Sequence, residues 1–222
     1  MTVHLQRDLD HLRKEILTMG SLVEEAINKA INALVQRLPD VAREVIDADN
    51  RIDEKEVEVE EECLKLLALH QPVAIDLRFI ITCLKVNNDL ERMGDLAVNI
   101  AERAAYLAKH PKLALPIDLS RMADRVRTMV RDSLDALVRN DPDLARRVME
   151  LDDAVDRDNR HMFDLLQEAM SKDRAVIKRA IAVLSSSRYL ERIADHATNI
   201  CEDLVFMSTG EIIRHREESL EE

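Results

Sequence analysis

Residues 90–102 read LERMGDLAVNIAE, and residues 190–202 read LERIADHATNICE. Leu90, Glu91, Arg92, Asp95, Ala97, Asn99, Ile100 and Glu102 recur without a gap as Leu190, Glu191, Arg192, Asp195, Ala197, Asn199, Ile200 and Glu202. Agreement at eight of thirteen positions points to an internal duplication. In both copies the apolar residues step by three and four, the period of a helix that buries one face. What the copies share beyond that stripe is an acidic ladder, Glu-x-x-x-Asp, beside it.

Working outward, the first stripe runs from Cys83 and Val86 through Ala104 and Leu107, and the second continues to Leu204 and Met207. Val41, Val45, Ala48, Ile52, Val59, Cys63 and Leu66 form a further stripe, matched by Leu144, Val148, Leu151, Val155 and Met162. The spacing predicts helices over 5–37, 40–69, 75–109, 118–139, 142–170 and 173–208. Pro39-Asp40 and Pro142-Asp143 sit at matching places and start the second helix of each half, since proline is well placed in a first turn. Pro72 breaks the next junction, and HPKLALP, with Pro111 and Pro116, is the connector between halves. Short links make neighbouring helices antiparallel. The expected fold is therefore all-α, a tandem repeat of two three-helix bundles with approximate internal twofold symmetry. The first bundle spans 1–110, the linker 111–117 and the second bundle 118–210, with 211–222 a frayed tail.

Composition supports an all-helical chain. Only three Gly and five Pro in 222 residues leave little turn material, and an apolar share of 46% supplies a core. The absence of Trp, with three Phe and two Tyr, makes that core aliphatic. A net charge of −12 with no basic cluster disfavours direct DNA binding, because a phosphate backbone is repelled by this surface. Cys63, Cys83 and Cys201 are odd in number and form no CxxC pair, so they read as reduced, buried residues. Charges run through the opening TVHLQRDLDHL, unlike a secretory leader, and no apolar stretch approaches the roughly 20 residues of a bilayer span. A cytoplasmic protein that does not span a membrane is expected.

Two more ladders precede the first pair: Asp49-x-x-x-Asp53 and Asp152-x-x-x-Asp156. Residues four apart share a helix face. Asp53 and Glu91 are equidistant from Pro72, as are Asp49 and Asp95, so an antiparallel fold about that turn sets Asp53 opposite Glu91 and Asp49 opposite Asp95. Around a turn near Asp173, Asp156 meets Glu191 and Asp152 meets Asp195. One such ladder alone reads as a solvated face. Four, in two facing pairs, repel one another unless protonated, hydrated or bridged by cations. Oxygen ligands at this density suit hard ions such as Mg, Ca, Mn or Fe. Asn99, Glu102, Asn199 and Glu202 extend the stripes as secondary contacts, and Glu56 and Glu60 stand at the edge of the first site. Arg92 and Arg192 read as partners of neighbouring acids, His70 as a loop residue and His196 as structural.

These residues resemble the PhoU family of bacterial phosphate-uptake regulators. The carriers are MGSLVEEAI at Met19, HQPVAIDLRFI at His70, NNDLERMGDLAVNIAERA at Asn87, YLERIADHATNICED at Tyr189 and TGEIIRH at Thr209. The resemblance implies paired three-helix bundles whose E(D)xxxD motifs hold multinuclear metal clusters, iron in some members; Mn, Mg, Ca or Zn are alternatives here. The motifs fall on Asp49/Asp53, Glu91/Asp95, Asp152/Asp156 and Glu191/Asp195. A histidine frequent after the helix-three ladder in the family is replaced here by Leu96. The resemblance further implies a non-enzymatic relay between the ATPase subunit of a phosphate ABC transporter and a sensor histidine kinase, acting as a negative regulator of the phosphate regulon, and a homodimer. Two alternatives stand beside it: an accessory protein of another transporter, and a carboxylate-bridged metalloenzyme. The second is disfavoured because no Glu-x-x-His of the ferritin-like kind occurs. No Gly-rich phosphate loop is present either, since Gly20, Gly94 and Gly210 are isolated.

Overall fold

The computed structural model describes residues 3–115 and 118–210. Positions 116–117 of the linker and the tail 211–222 lie outside the described residues, and with them most of TGEIIRH. The helices are α1 (Val3–Gln36), α2 (Pro39–Ala48), α3 (Asn50–His70), α4 (Ala74–Ala108), α5 (Leu119–Arg139), α6 (Pro142–Lys172) and α7 (Ile177–Thr209), with a 3-10 turn at Arg174–Val176. No strand occurs among the described residues.

The stripe of α1 shows why the bundle forms. Leu5, Leu9, Leu12, Ile16, Met19, Val23, Ile27, Ala30 and Leu34 advance by threes and fours, and all are buried. Their burial against α4 removes aliphatic surface from water, at about 25 cal/mol per Å². The α1–α2 and α5–α6 turns share one device at equivalent places. Arg37 and Asn140 adopt left-handed φ values of 60° and 51°. The following N–H groups then reach back to Ala33 O at 3.0 Å and Ala136 O at 2.9 Å, closing the helix ends. Each turn is followed by proline at the start of the next helix.

Two differences from the sequence expectation stand out. The helix expected over 40–69 is interrupted at Asp49, the first residue of a ladder. Asp49 keeps right-handed helical angles of −56° and −44°, but its carbonyl takes the Ile52 N–H at 2.8 Å, a 3-10-type contact that tightens one turn. The chain therefore continues in direction, and α6, its counterpart, is unbroken. His70, expected in a loop, is the last residue of α3, and its Nε2 lies 3.0 Å from Asp8 Oδ2 on α1.

In each half the ladder helices pack on a central helix, α4 or α7, and these two pack on each other. That contact is as extensive as the α1–α4 contact inside the first half, and α1 also touches α5. Buried residues on α4, including Thr82, Asn87, Asp89, Leu90, Met93 and Leu96, consequently surround much of its circumference, as expected of a helix enclosed by neighbours. Arginines from both halves grip the connector: Arg37 donates to His110 O, and Arg179 Nη1 donates to Pro111 O at 3.1 Å. Among the described residues no helix is long and apolar enough to cross a membrane.

Candidate functional site

The eight ladder residues gather in two places, one per half. In the first, the charge of Asp49 is felt with those of Asp53 and Asp95, and Glu91 is influenced by Asp95, Arg92, Glu56 and Asp53. In the second, Asp152 interacts with Asp195, Asp156, Asp153 and Glu191, while Glu191 interacts with Asp195 and Asp156. The antiparallel register about the two turns accounts for both groupings, because each pairs one end of a ladder with the opposite end of its neighbour.

Burial is the leading influence on the acids that shift, followed by like charge. It raises Asp49, Glu91, Glu191 and Asp195 above the usual carboxylate range, with neighbouring carboxylates acting the same way. Asp152 is pushed up furthest, to about 6, by burial and then by Asp195 and Asp156. Its Oδ1 is buried and has no hydrogen-bond partner. Such an oxygen is costly unless a proton or cation meets it. Opposing positive charge is modest: Arg92 Nε lies 3.4 Å from Glu91 and its Nη1 lies 3.7 Å from Asp95, while Arg188 and Arg192 act on Glu191 and Asp195.

Carboxylate oxygens are the donor type that hard cations take, and Asp152 Oδ1 stands without a protein partner. Among the described residues, no three His, Cys, Asp or Glu side chains are drawn together closely enough to hold an ion as they stand.

The flanking residues have other partners. Asn99 Nδ2 donates to Asp95 O at 2.9 Å within α4, and Glu102 pairs with Arg103 at 3.2 Å. Asn199 Nδ2 turns across to Asp89 Oδ1 at 3.3 Å, and Glu202 is half-buried on α7. Cys63, Cys83 and Cys201 are free thiols, and burial raises each, Cys63 and Cys201 to about 12.

Sequence reasoning missed the polar seam between the halves. Asp89 on α4 is buried and lies 2.8 Å from His196 Nδ1 on α7, with Asn199 beside it. Farther along, Lys85 Nζ donates to the buried Asp203 at 2.9 Å. A signal for the first existed: Asp89 stands three residues after Val86 and four before Met93, an acid within an apolar stripe. His196 is thus occupied by a structural contact.

The architecture and its sites define a class: a duplicated helical bundle with a carboxylate cluster in each half and a polar seam between them. Comparison with known proteins identifies the family. The PhoU domain model matches residues 16–104 and 119–204, once in each half, and the chain belongs to the PhoU family. It is 41% identical to a phosphate-specific transport system accessory protein PhoU homolog of Aquifex aeolicus, covering 96% of each protein. A homolog of the same description from Pseudomonas putida is 39% identical over 94% of this chain and 82% of its own length. The crystal structure of PhoU from Pseudomonas aeruginosa superposes with a TM-score of 0.90 at 37% identity, over 93% of this chain and 99% of that one. The regulatory protein PhoU from Streptococcus pneumoniae gives 0.85 at 33% identity, over 94% and 99%.

Proposed function

We propose that this protein is the accessory regulator of a phosphate-specific transport system. In this reading it acts in the cytoplasm as a homodimer, without catalysis of its own. It conveys the state of the transporter, through the transporter's ATPase subunit, to the phosphate-regulon sensor histidine kinase, and so keeps the regulon off when phosphate is plentiful. The observation that carries this reading is likeness along nearly the whole chain to proteins named as phosphate-specific transport system accessory proteins.

The carboxylate clusters, Asp49/Asp53/Glu91/Asp95 and Asp152/Asp156/Glu191/Asp195, are the proposed metal sites, with Fe, Mn, Mg, Ca or Zn as candidate ions. A bound cation would supply charge compensation, tying each ladder helix to its central helix and stabilising the bundle by mass action. The chain's own contribution is the positioning: the helices hold acids that burial and mutual repulsion keep partly reluctant to ionise. The resulting rigid helix faces are what a partner docks against.

Alkaline phosphatase output in phosphate-rich medium tests the regulatory reading. Deletion of the gene is expected to raise it and restoration to return it to the repressed level. Unchanged low output after deletion would reject the reading. Metal content of the purified protein, measured with and without Glu91→Ala/Asp95→Ala, tests the sites separately; the loss is expected in the first half alone.

A further inference from the structure

Arg37 and Asn140 close matching turns, and each contacts the chain where a central helix ends. Arg37 donates to His110 O just after α4, and Asn140 Oδ1 accepts from Ser208 Oγ at 2.7 Å in the last turn of α7. Beyond α4 the connector runs back over the bundle. Arg179 on α7 donates to Pro111 O at 3.1 Å, and the half-buried Leu113 and Leu115 line one cavity with Leu34 and Val35 on α1. Beneath them Leu34 is buried and Val35 half-buried. Leu137 and Val138 on α5 hold the same places before Pro142 that Leu34 and Val35 hold before Pro39. These counterparts are less covered: Leu137 is half-buried, and Val138 is 45% exposed. At the exit of α7, Gly210 adopts a left-handed φ of 79° and turns the chain, a common close of a helix. A Cβ on Gly210 would stand 3.2 Å from Arg78 Nη1, and Arg78 Nε is buried without a hydrogen-bond partner among the described residues. So α4 sets an arginine at the exit of α7, as α7 sets Arg179 at the exit of α4.

We propose that residues 211–215, EIIRH, form a second strap, in the place the connector takes beside α1. Ile213, the counterpart of Leu113 in the repeat, packs on Leu137 and Val138, and Arg78 donates to a carbonyl of the strap as Arg179 does to Pro111 O. The reach is short. Gly210 to Ile213 spans about 10 Å of extended chain, while Val138 lies about 3 Å of helix rise from Asn140, which already holds Ser208. The apolar surface covered supplies the driving force. A matched exchange in the sequence favours the same segment: Ile75 and Ile212 stand where the other copy has Ala175 and Lys112. Ile75 is exposed in the first turn of α4, one turn before Arg78, so Ile212 meets an apolar neighbour on the α4 side. The strap joins α5 of the second half to α4 of the first, and with the connector it ties both ends of the α4–α7 contact.

The test places a thiol under the strap. Val138→Cys is labelled with iodoacetamide in the full chain and in the chain ending at Gly210. The three native thiols are buried and react slowly. Labelling of Val138→Cys is expected to be about tenfold slower in the full chain, because a shielded site reacts only when its cover opens. Ile213→Asp in the full chain should restore the fast rate, and Arg78→Ala should recover part of it. Ile181→Cys, exposed near the opposite end of α7, should label at one rate in every background, which shows the bundle intact. Equal rates for Val138→Cys with and without residues 211–222, or protection that survives Ile213→Asp, would overturn the strap. An unchanged rate in Arg78→Ala would overturn the arginine's part in it. Protection that grows with protein concentration would assign the cover to a second copy of the chain and overturn the strap as well.

Discussion

Gly94 lies between Glu91 and Asp95 on α4, against Ile52 on α3, so it sets the helix spacing at the first carboxylate cluster. A Cβ placed on Gly94 would sit 3.1 Å from Ile52 Cγ2 and 3.2 Å from its Cδ1. Carbon atoms pack comfortably at about 3.5–4.0 Å. Ile52 is buried and β-branched, so Cγ2 cannot swing aside cheaply. Overpacking of this kind costs about 1–3 kcal/mol, while replacing glycine by alanine in a helix returns about 1 kcal/mol. Gly94→Ala is therefore expected to destabilise the metal-free protein by about 1 kcal/mol, taken from the middle of that overpacking range. The second half carries the complementary solution, Ala194 on α7 with Val155 on α6, both buried. Ile52→Val alone removes a buried methyl and costs about 0.5–1.5 kcal/mol. Ile52→Val removes Cδ1 and keeps Cγ2, so it relieves one of the two close contacts, and the double variant should lose about 0.5 kcal/mol less than the two single losses combined. Urea unfolding of the four proteins measures this cycle. Strict additivity, within about 0.3 kcal/mol, would refute the steric reasoning.

Leu38 precedes α2 without a side-chain cap, whereas Asp141 at the matching place accepts from the Asp143 and Leu144 N–H groups at 3.0 and 2.9 Å. Leu38→Asp should stabilise the protein by about 1 kcal/mol in thermal or urea unfolding, and a loss would contradict the capping account. Asp89→Ala strips His196 Nδ1 and the Asn199 amide of their shared acceptor in the seam between halves. It should cost about 1–3 kcal/mol in the same unfolding assay, and no measurable loss would show the seam to be energetically idle. The pH dependence of the metal-free protein follows from Asp152, whose acid is raised from 3.8 to about 6 in the fold. Its ionised form is the disfavoured one, so the associated stability is fully present below about pH 4 and lost as pH rises toward 6. The loss is at most about 3 kcal/mol, since the residue is not wholly enclosed. Asp152→Asn should flatten that slope in urea unfolding across pH; an unaltered slope would reject the assignment.

The repeat of LERMGDLAVNIAE in LERIADHATNICE, with its three-and-four stripe, determined the helical class and the duplication, because helix periodicity is a local property of the chain. The equal spacing of the ladders about Pro72, and about the turn near Asp173, also made the carboxylate pairing legible, since an antiparallel hairpin of helices has a simple register. Three things needed the tertiary structure. The hitch at Asp49, where the Ile52 N–H reaches the Asp49 carbonyl, lies between two helices that both pack on α4 and leaves no mark in the apolar stripe that runs through it. The union of the halves through α4 and α7, with Asp89 meeting His196, joins residues more than a hundred positions apart, where only three-dimensional packing decides which faces meet. The contrast across the helix pairs is a third: Asn87 reaches the Glu56 backbone oxygen, whereas Ser187 stops at the Asn159 side-chain oxygen. Asn87 and Ser187 differ there by less than the length of one amide group, a distinction that exists only once the helices are placed.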